Sequence, residues 1–110
     1  MSSPKHKELA SGNWQKLSLI EQLGNIGSEI GRTRKWQNVN EELYRGAYQR
    51  TLELFDLTIN DPRWKHRLKE ITRARSLFCA TLIGRNKYKT ELADLERHFF
   101  QYALAARRQV

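Results

Sequence analysis

Residues 18–35, SLIEQLGNIGSEIGRTRK, show the pattern of an amphipathic α-helix. Apolar side chains recur at steps of four, three and four residues, which is the spacing of one helix face; they are Leu19, Leu23, Ile26 and Ile30. Ser18 and Glu21 have capping-box spacing, in which each side chain bonds the backbone N–H of the other residue. This stretch therefore predicts a helix that begins at Ser18 and buries one face.

Three glycines, Gly24, Gly27 and Gly31, lie along one flank of this stripe. Each costs about 1 kcal/mol in a helix interior relative to alanine. Three together therefore indicate a place where another helix backbone comes very close. Because they follow no predicted strand, we interpret them as packing glycines and not as a nucleotide-binding loop.

Three further apolar stripes follow along the chain, each with its own start signal. We predict that Asn40 caps the second helix after a turn at residues 38–40. The pair Asp61-Pro62 predicts the start of the third helix, and Thr90 is expected to cap the fourth. The stripes are Leu43, Ala47, Thr51, Leu54 and Thr58, widened by Tyr44, Tyr48, Phe55 and Ile59; then Trp64, Leu68, Ile71, Phe78 and Leu82, ended by Gly84; then Leu92, Leu95, Phe99, Tyr102 and Ala106.

Four amphipathic helices joined by short turns predict an all-α fold. We expect an antiparallel up-down four-helix bundle over residues 14–110, preceded by a flexible polar lead at residues 1–13. A chain of this length forms one domain.

The net charge of +8 lies entirely in the second half of the chain. Residues 1–61 hold eight basic and eight acidic side chains, whereas residues 62–110 hold twelve basic and four acidic ones. A basic surface attracts phosphate polymers or acidic proteins. The asymmetry therefore favours such a partner over a charge that serves only solubility.

The composition also excludes several classes of protein. The single cysteine, Cys79, cannot form an internal disulfide, so nothing indicates an oxidising compartment. Residues 1–13 lack the apolar core of a signal peptide, and no apolar run is long enough to predict a membrane span. We expect a cytoplasmic protein with no membrane partner.

The residue types that most often perform catalysis are not arranged for it here. His66 and His98 have no second ligand at metal-site spacing, and His6 lies in the polar lead. A HEPN-type ribonuclease places an Arg a set distance before a His, and no His in this sequence has that partner. We interpret Cys79 as a small buried hydrophobic residue. The sequence therefore predicts no enzyme, no metal and no cofactor.

The basic residues give the strongest indication of function. Lys65, Lys69 and Arg73 are four apart on the third helix and share one ridge, turned away from the apolar stripe. A rigid track of such charges is typical of phosphate binding, and a solvated helix face is the alternative. The predicted nucleic-acid-binding residues are Lys65, Lys69, Arg73, Arg85, Lys87, Lys89, Arg97 and Arg108, with Tyr88 placed to stack on an unpaired base.

Arg75 interrupts the centre of the third apolar stripe. A buried arginine needs a carboxylate partner. We predict that it pairs with one of three acidic residues of the first two helices, or that it faces a subunit interface. The candidate partners are Glu29, Glu53 and Asp56.

The second helix has a wider apolar face than one partner helix can cover. Tyr44, Tyr48 and Phe55 are predicted at its outer margin, so we expect self-association. Three tryptophans lie at predicted helix ends, where they close the bundle or anchor an interface. They are Trp14, Trp36 and Trp64.

Four segments resemble a family of small uncharacterised bacterial helical proteins, which brings no activity with it. They are WQKL at 14–17, EQLGNIGSE at 21–29, LELFDLTI at 52–59 and YALAAR at 102–107. In size, basicity and four-helix plan, the chain also resembles the accessory variability proteins of diversity-generating retroelements and the related bundle proteins encoded in ribosomal-RNA insertions. That second resemblance implies a ring-like pentamer that binds RNA and a reverse transcriptase through basic surfaces.

These features predict a non-enzymatic basic bundle that binds nucleic acid, either RNA or RNA/DNA with RNA favoured, and assists a larger machine such as a reverse transcriptase. The alternative is a protein-interaction adaptor whose basic face docks an acidic partner. Salt dependence separates the two, because counterion release makes nucleic-acid binding fall steeply as salt rises.

Overall fold

The computed structural model describes residues 13–83 and 89–108, which contain helices and turns and no strand. The elements are a 3₁₀ helix at Trp14–Lys16, α1 at Leu19–Trp36, α2 at Glu41–Ile59, a second 3₁₀ helix at Pro62–Arg67, α3 at Leu68–Ile83 and α4 at Lys89–Arg108. The predicted all-α, antiparallel four-helix bundle is confirmed. α1 packs extensively against both α2 and α4, whereas α3 contacts α2 and α4 over a much smaller area. The predicted lead lies outside the described residues, apart from Asn13.

Three predicted caps form the hydrogen bonds that begin their helices. Ser18 Oγ accepts from the Glu21 N–H at 3.2 Å, and the Ser18 N–H donates to Glu21 Oε1 at 3.0 Å. Asn40 Oδ1 accepts from the backbone N–H three residues on at 3.0 Å. Asp61 Oδ1 accepts from the Arg63 N–H at 3.1 Å. These acceptors satisfy N–H groups that have no partner within the helix, so each local signal starts its element where expected.

Two other boundaries differ from the prediction. The third helix opens with the 3₁₀ segment, in which Trp64 has φ −104° and ψ 21°, and α-helical winding begins only at Leu68. α4 spans Lys89–Arg108, so Thr90 lies inside the helix and not before its first residue. Gly84, the predicted end of the third helix, lies outside the described residues.

The close helix approach predicted at the glycine flank of α1 is confirmed at Gly27, which faces the backbone of Phe99 on α4. Gly31 instead faces the side-chain carboxylate of Glu96. The absence of a Cβ at Gly27 lets α1 and α4 approach closely there.

Phe55 of α2 contacts core residues of both α3 and α4. Its ring centroid lies 6.1 Å from that of Phe78 on α3 and 5.9 Å from that of Phe99 on α4. Full burial of a side chain of this kind contributes about 1.5–3 kcal/mol, and an edge-to-face pair about 0.5–1.5 kcal/mol more. The buried core consists of Trp14, Leu23, Ile26, Ile30, Leu54, Phe55, Ile71, Phe78, Leu92 and Phe99.

The predicted outer margin of α2 is wrong. Tyr44 and Phe55 are 2% and 0% exposed and Tyr48 is half-buried, whereas Leu43 is 44% exposed. The rest of the predicted stripe, Ala47, Thr51, Leu54 and Thr58, is buried, and the buried face extends from it toward Tyr44 and Phe55, so that Leu43 lies at the exposed edge on the other side. Leu68, at the start of α3, is also exposed. The margin of α2 therefore provides no argument for self-association.

Candidate nucleic-acid interface

A buried polar network holds the 3₁₀ segment before α3 against α1. The Gln22 side chain, 0% exposed, donates from Nε2 to the Trp14 carbonyl at 2.9 Å and to Asp61 Oδ2 at 3.3 Å. Its Oε1 accepts from Trp64 Nε1 at 2.9 Å. These bonds satisfy a buried amide, and they orient the segment so that the following side chains point outward.

Arg63 completes this network and is committed to structure. Its Nη2 donates to Asp61 Oδ2 at 2.7 Å and to the Leu17 carbonyl at 2.8 Å, and its guanidinium lies 4.4 Å from the centroid of the Trp64 ring. The hydrogen bond from Arg63 lowers the pKa of Asp61 below its ordinary value, because it stabilises the carboxylate. We therefore do not count Arg63 among the phosphate contacts.

The predicted ridge residues Lys65, Lys69 and Arg73 are all exposed. None of them forms an ion pair within the described part of the chain, although seven arginines there do. The paired arginines are Arg32, Arg34, Arg50, Arg63, Arg67, Arg75 and Arg97. The ridge charges are therefore uncompensated by carboxylates of these residues.

The ridge is not a single straight α-helical row. Lys65 belongs to the 3₁₀ segment and Lys69 and Arg73 to α3. A 3₁₀ helix has three residues per turn and not 3.6. Lys65 is therefore turned further around the axis from Lys69 than its spacing predicts for one α-helix, whereas Lys69 and Arg73 keep the expected relation.

The acidic residue nearest the ridge in sequence is already neutralised. Glu70 accepts from Arg67 Nε at 3.0 Å, and this hydrogen bond lowers the pKa of Glu70. The same bond raises the pKa of Arg67. The pair adds no net charge, so the local potential is set by Lys65, Lys69 and Arg73.

The remaining predicted site residues do not all join this surface. Arg97 pairs with Asp94 at 2.8 Å and lies on the side of α4 that faces Arg34 of α1. Arg73 instead lines the groove between α3 and α4. Arg85, Lys87 and Tyr88 lie outside the described residues, as do the side chains of Lys89 and Arg108, the end residues of α4. The single track predicted from the sequence is therefore wrong for Arg97.

Arg75 pairs with Asp56, one of its three predicted partners, at 2.9 Å. The prediction that it is buried is wrong, because the Arg75 side chain is 33% exposed and that of Asp56 is 54% exposed. Long arginine side chains lay their stems along apolar surface and keep the charge in water. Cys79 is half-buried beside it, with Sγ 3.8 Å from Arg75 Nη1.

Both described histidines, His66 and His98, are exposed. His98 packs edge-to-face against Phe99 and Tyr102, with centroid distances of 5.7 and 5.9 Å. Across residues 13–83 and 89–108, no three His, Cys, Asp or Glu side chains are placed to hold a metal ion.

A second group of exposed cations lies together between α1 and α4, which the sequence did not predict. Two adjoining hollows of about 310 and 320 Å³ lie between α1 and α4 and share Glu96 and Phe100. Arg32 and Lys35 line the first hollow, and Arg34 and Arg97 line the second. We call these hollows the α1–α4 trough. The signal available in the sequence was a glycine flank that leads into the basic end of α1.

None of the helices, as far as the structure describes them, has the length and apolarity needed to cross a bilayer. Comparisons with protein-family models, with curated proteins and with solved structures find no match.

Proposed function

We propose that this protein is a non-enzymatic nucleic-acid-binding bundle, with RNA the favoured ligand, that acts as an accessory to a larger machine such as a reverse transcriptase. The observation that carries the proposal is the uncompensated charge of Lys65, Lys69 and Arg73. Binding to a phosphate backbone is driven by the release of condensed counterions, and free surface cations supply that term directly.

The scaffold beneath the ridge favours this use. Ile71 and Phe78 anchor α3 in the core, and the bonds of Asp61 and Gln22 fix the segment before it. Cations on such a support lose less conformational freedom on binding than cations on a disordered segment. The choice of a reverse transcriptase as partner depends on the resemblance to the retroelement accessory proteins alone.

The proposal includes self-association, with a pentamer implied by the same resemblance. Its support is the exposed apolar surface of α3, where Leu77 and Ile83 are both more than half exposed. Light scattering at micromolar concentration tests this part, and a monomer would contradict it.

Matched charge-removal variants test nucleic-acid binding. Lys69→Gln with Arg73→Gln removes one Lys and one Arg from the ridge, and Lys16→Gln with Arg45→Gln removes the same pair elsewhere. All four side chains are exposed and unpaired within the described residues. Fluorescence anisotropy with a labelled oligouridine, over about 50–200 mM salt, gives the affinity and its salt slope.

The ridge variant should bind more weakly, with a slope shallower by about 1.4, because each single-strand phosphate contact contributes about 0.7. Adding Lys65→Gln should extend the loss. The control variant should retain more of both affinity and slope. Equal losses of affinity in the two variants would show that binding depends only on the total charge of the protein. No loss in either variant would show that the ridge does not bind nucleic acid.

The adaptor hypothesis has one specific observation in its favour. A groove of about 600 Å³ opens between α3 and α4, with Leu77, Leu95 and Ala80 on its floor and Arg73, His98 and Asp94 among its polar residues. Asp94 is paired with Arg97, so Arg73 is the unpaired charge of this groove among the described residues, and an acidic amphipathic helix would match the apolar floor and this cation. Binding of such a peptide that Leu77→Glu abolishes, together with a flat salt dependence for RNA, would support the adaptor function instead.

A further inference from the structure

The α1–α4 trough combines a glycine-lined edge with an exposed aromatic ring. Gly24, Gly27 and Gly31 line one of its hollows, and α4 contacts this edge through Phe99 at Gly27 and through Glu96 at Gly31. Phe100 stands between the two hollows and is 53% exposed. Phenylalanine is among the residues most often buried. The trough therefore presents a large apolar ring to solvent beside an unfilled hollow.

Cations surround this ring and are held in place by carboxylates. Glu29 binds Arg32 at 2.5 Å, Glu96 binds Arg34, and Asp94 binds Arg97 at 2.8 Å. All three guanidinium groups remain exposed. A guanidinium carries five N–H donors and a carboxylate occupies at most two of them, so each arginine keeps donors for a further anion.

Among the described residues, the trough has more cations than carboxylates by one. Arg32, Arg34 and Arg97 are each paired with a carboxylate, and Lys35 forms no ion pair. Glu96 is already bound to Arg34. Lys35 lies with Nζ 4.9 Å from the centroid of the Trp36 ring. An anionic ligand with a flat apolar part fits this combination of groups.

We propose that the α1–α4 trough binds single-stranded nucleic acid, with one base stacked on Phe100 and the flanking phosphates on the two arginine-bearing sides. This inference rests on the proposed function and adds a second contact, on the opposite side of α4 from the α3 ridge. Each hollow has the size of a small-ligand pocket, about 300–1,000 Å³. Duplex bases are already stacked on one another, so the site selects an unpaired base.

The test distinguishes binding of the bases from binding of the sugar-phosphate backbone. Anisotropy titrations compare a labelled oligouridine with an abasic strand of the same length, which keeps the phosphates and lacks the bases. The wild-type protein should prefer the oligouridine by about 5- to 150-fold, the range that one stacked base provides. Phe100→Ala should remove most of this preference and leave the affinity for the abasic strand unchanged. Phe100→Tyr should retain the preference.

Leu43→Ala is the matched control, because Leu43 is also a half-exposed apolar residue and lies at the start of α2, outside the trough. It should keep the full preference. If Phe100→Ala keeps it too, or if the wild-type protein has none, the trough proposal is refuted while salt-dependent binding through the ridge can stand. If neither strand binds with a steep salt slope, the proposed function itself fails, and the trough proposal with it.

Discussion

Gly27 of α1 and Phe99 of α4 are in such close contact that a Cβ added to the glycine would lie 2.8 Å from Phe99 Cβ and 3.3 Å from its carbonyl carbon. The obstruction belongs to the backbone and the base of a side chain, neither of which can move without shifting a helix. At Gly31, by contrast, the nearest atom would be Glu96 Oε2 at 2.5 Å, the far end of a flexible side chain.

Alanine at these two positions should therefore have different effects. Gly27→Ala should lower the free energy of unfolding by about 1–2 kcal/mol, because overpacking outweighs the gain in helix propensity. Gly31→Ala should change it by less than about 0.5 kcal/mol, because the gain in helix propensity offsets the cost of turning Glu96 away from Arg34. Urea denaturation of both variants gives the comparison, and equal effects would contradict the rigid contact at Gly27.

The acid stability of the protein should depend in part on Asp61. Its pKa is lowered in the folded state by the hydrogen bond from Arg63. A lowered folded pKa stabilises the fold above the unfolded value of about 3.9, and that stability is lost as the pH falls through the folded pKa. Asp61→Asn should be less stable near neutral pH and should lose less stability on acidification below about pH 4.

Thermal unfolding between neutral pH and about pH 2 measures this difference. Arg63→Gln removes the largest cause of the lowered pKa while keeping the carboxylate, so it should flatten the acid dependence in the same direction. An unchanged acid profile in both variants would show that the Asp61–Arg63 pair does not contribute to it.

Two ion pairs should differ in their contribution to stability because their burial differs. The Glu29 side chain is 5% exposed and bonds both Arg32 and Arg50, whereas the Asp56–Arg75 pair is solvated. Glu29→Gln should cost about 2 kcal/mol, since it weakens a buried anchor between α1 and α2. Asp56→Asn should cost less than about 1 kcal/mol. Chemical denaturation measures both, and the reverse order would contradict the observed burial.

Thr58 should contribute to the stability of the fold through its hydroxyl group. Trp14 Nε1 donates to Thr58 Oγ1 at 3.0 Å, and both residues are fully buried. Thr58→Val keeps the shape but leaves the indole N–H without an acceptor, at about 1–3 kcal/mol. Thr58→Ser should retain most of the bond. A shift of the tryptophan emission in the Val variant alone, with a lower unfolding midpoint, would support the bond.

Features that depend on a few neighbouring residues could be predicted from the sequence. The caps at Ser18, Asn40 and Asp61 follow from side chains that bond N–H groups two or three residues away. The close approach at Gly27 could be foreseen because three helix-weakening residues on one flank need a compensating contact. For these features, the chemistry of neighbouring residues is nearly sufficient to predict the structure.

Features that depend on the rotation of one helix against another could not be predicted from the sequence. The stripe of α2 was broad enough to allow several faces, and the packing of α2 against its neighbouring helices selects the one that buries Tyr44. Three carboxylates on other helices were candidate partners of Arg75, and the relative position of α2 and α3 selects Asp56. Arg97 and His98 are adjacent in sequence but belong to different grooves, so a list of charges could not assign them to one surface.

The limited packing of α3 has a consequence for local stability. α1 makes most of the contacts between helices, with α2 and with α4, while α3 is held mainly by Ile71 and Phe78 and exposes Leu68 and Leu77. Such an element can open as a cooperative unit while the rest stays folded. Its amides should exchange with deuterium through openings that need less free energy than global unfolding. A polyanion bound along Lys69 and Arg73 would bridge successive turns of α3 and slow that exchange, so occupancy of the ridge could be followed amide by amide.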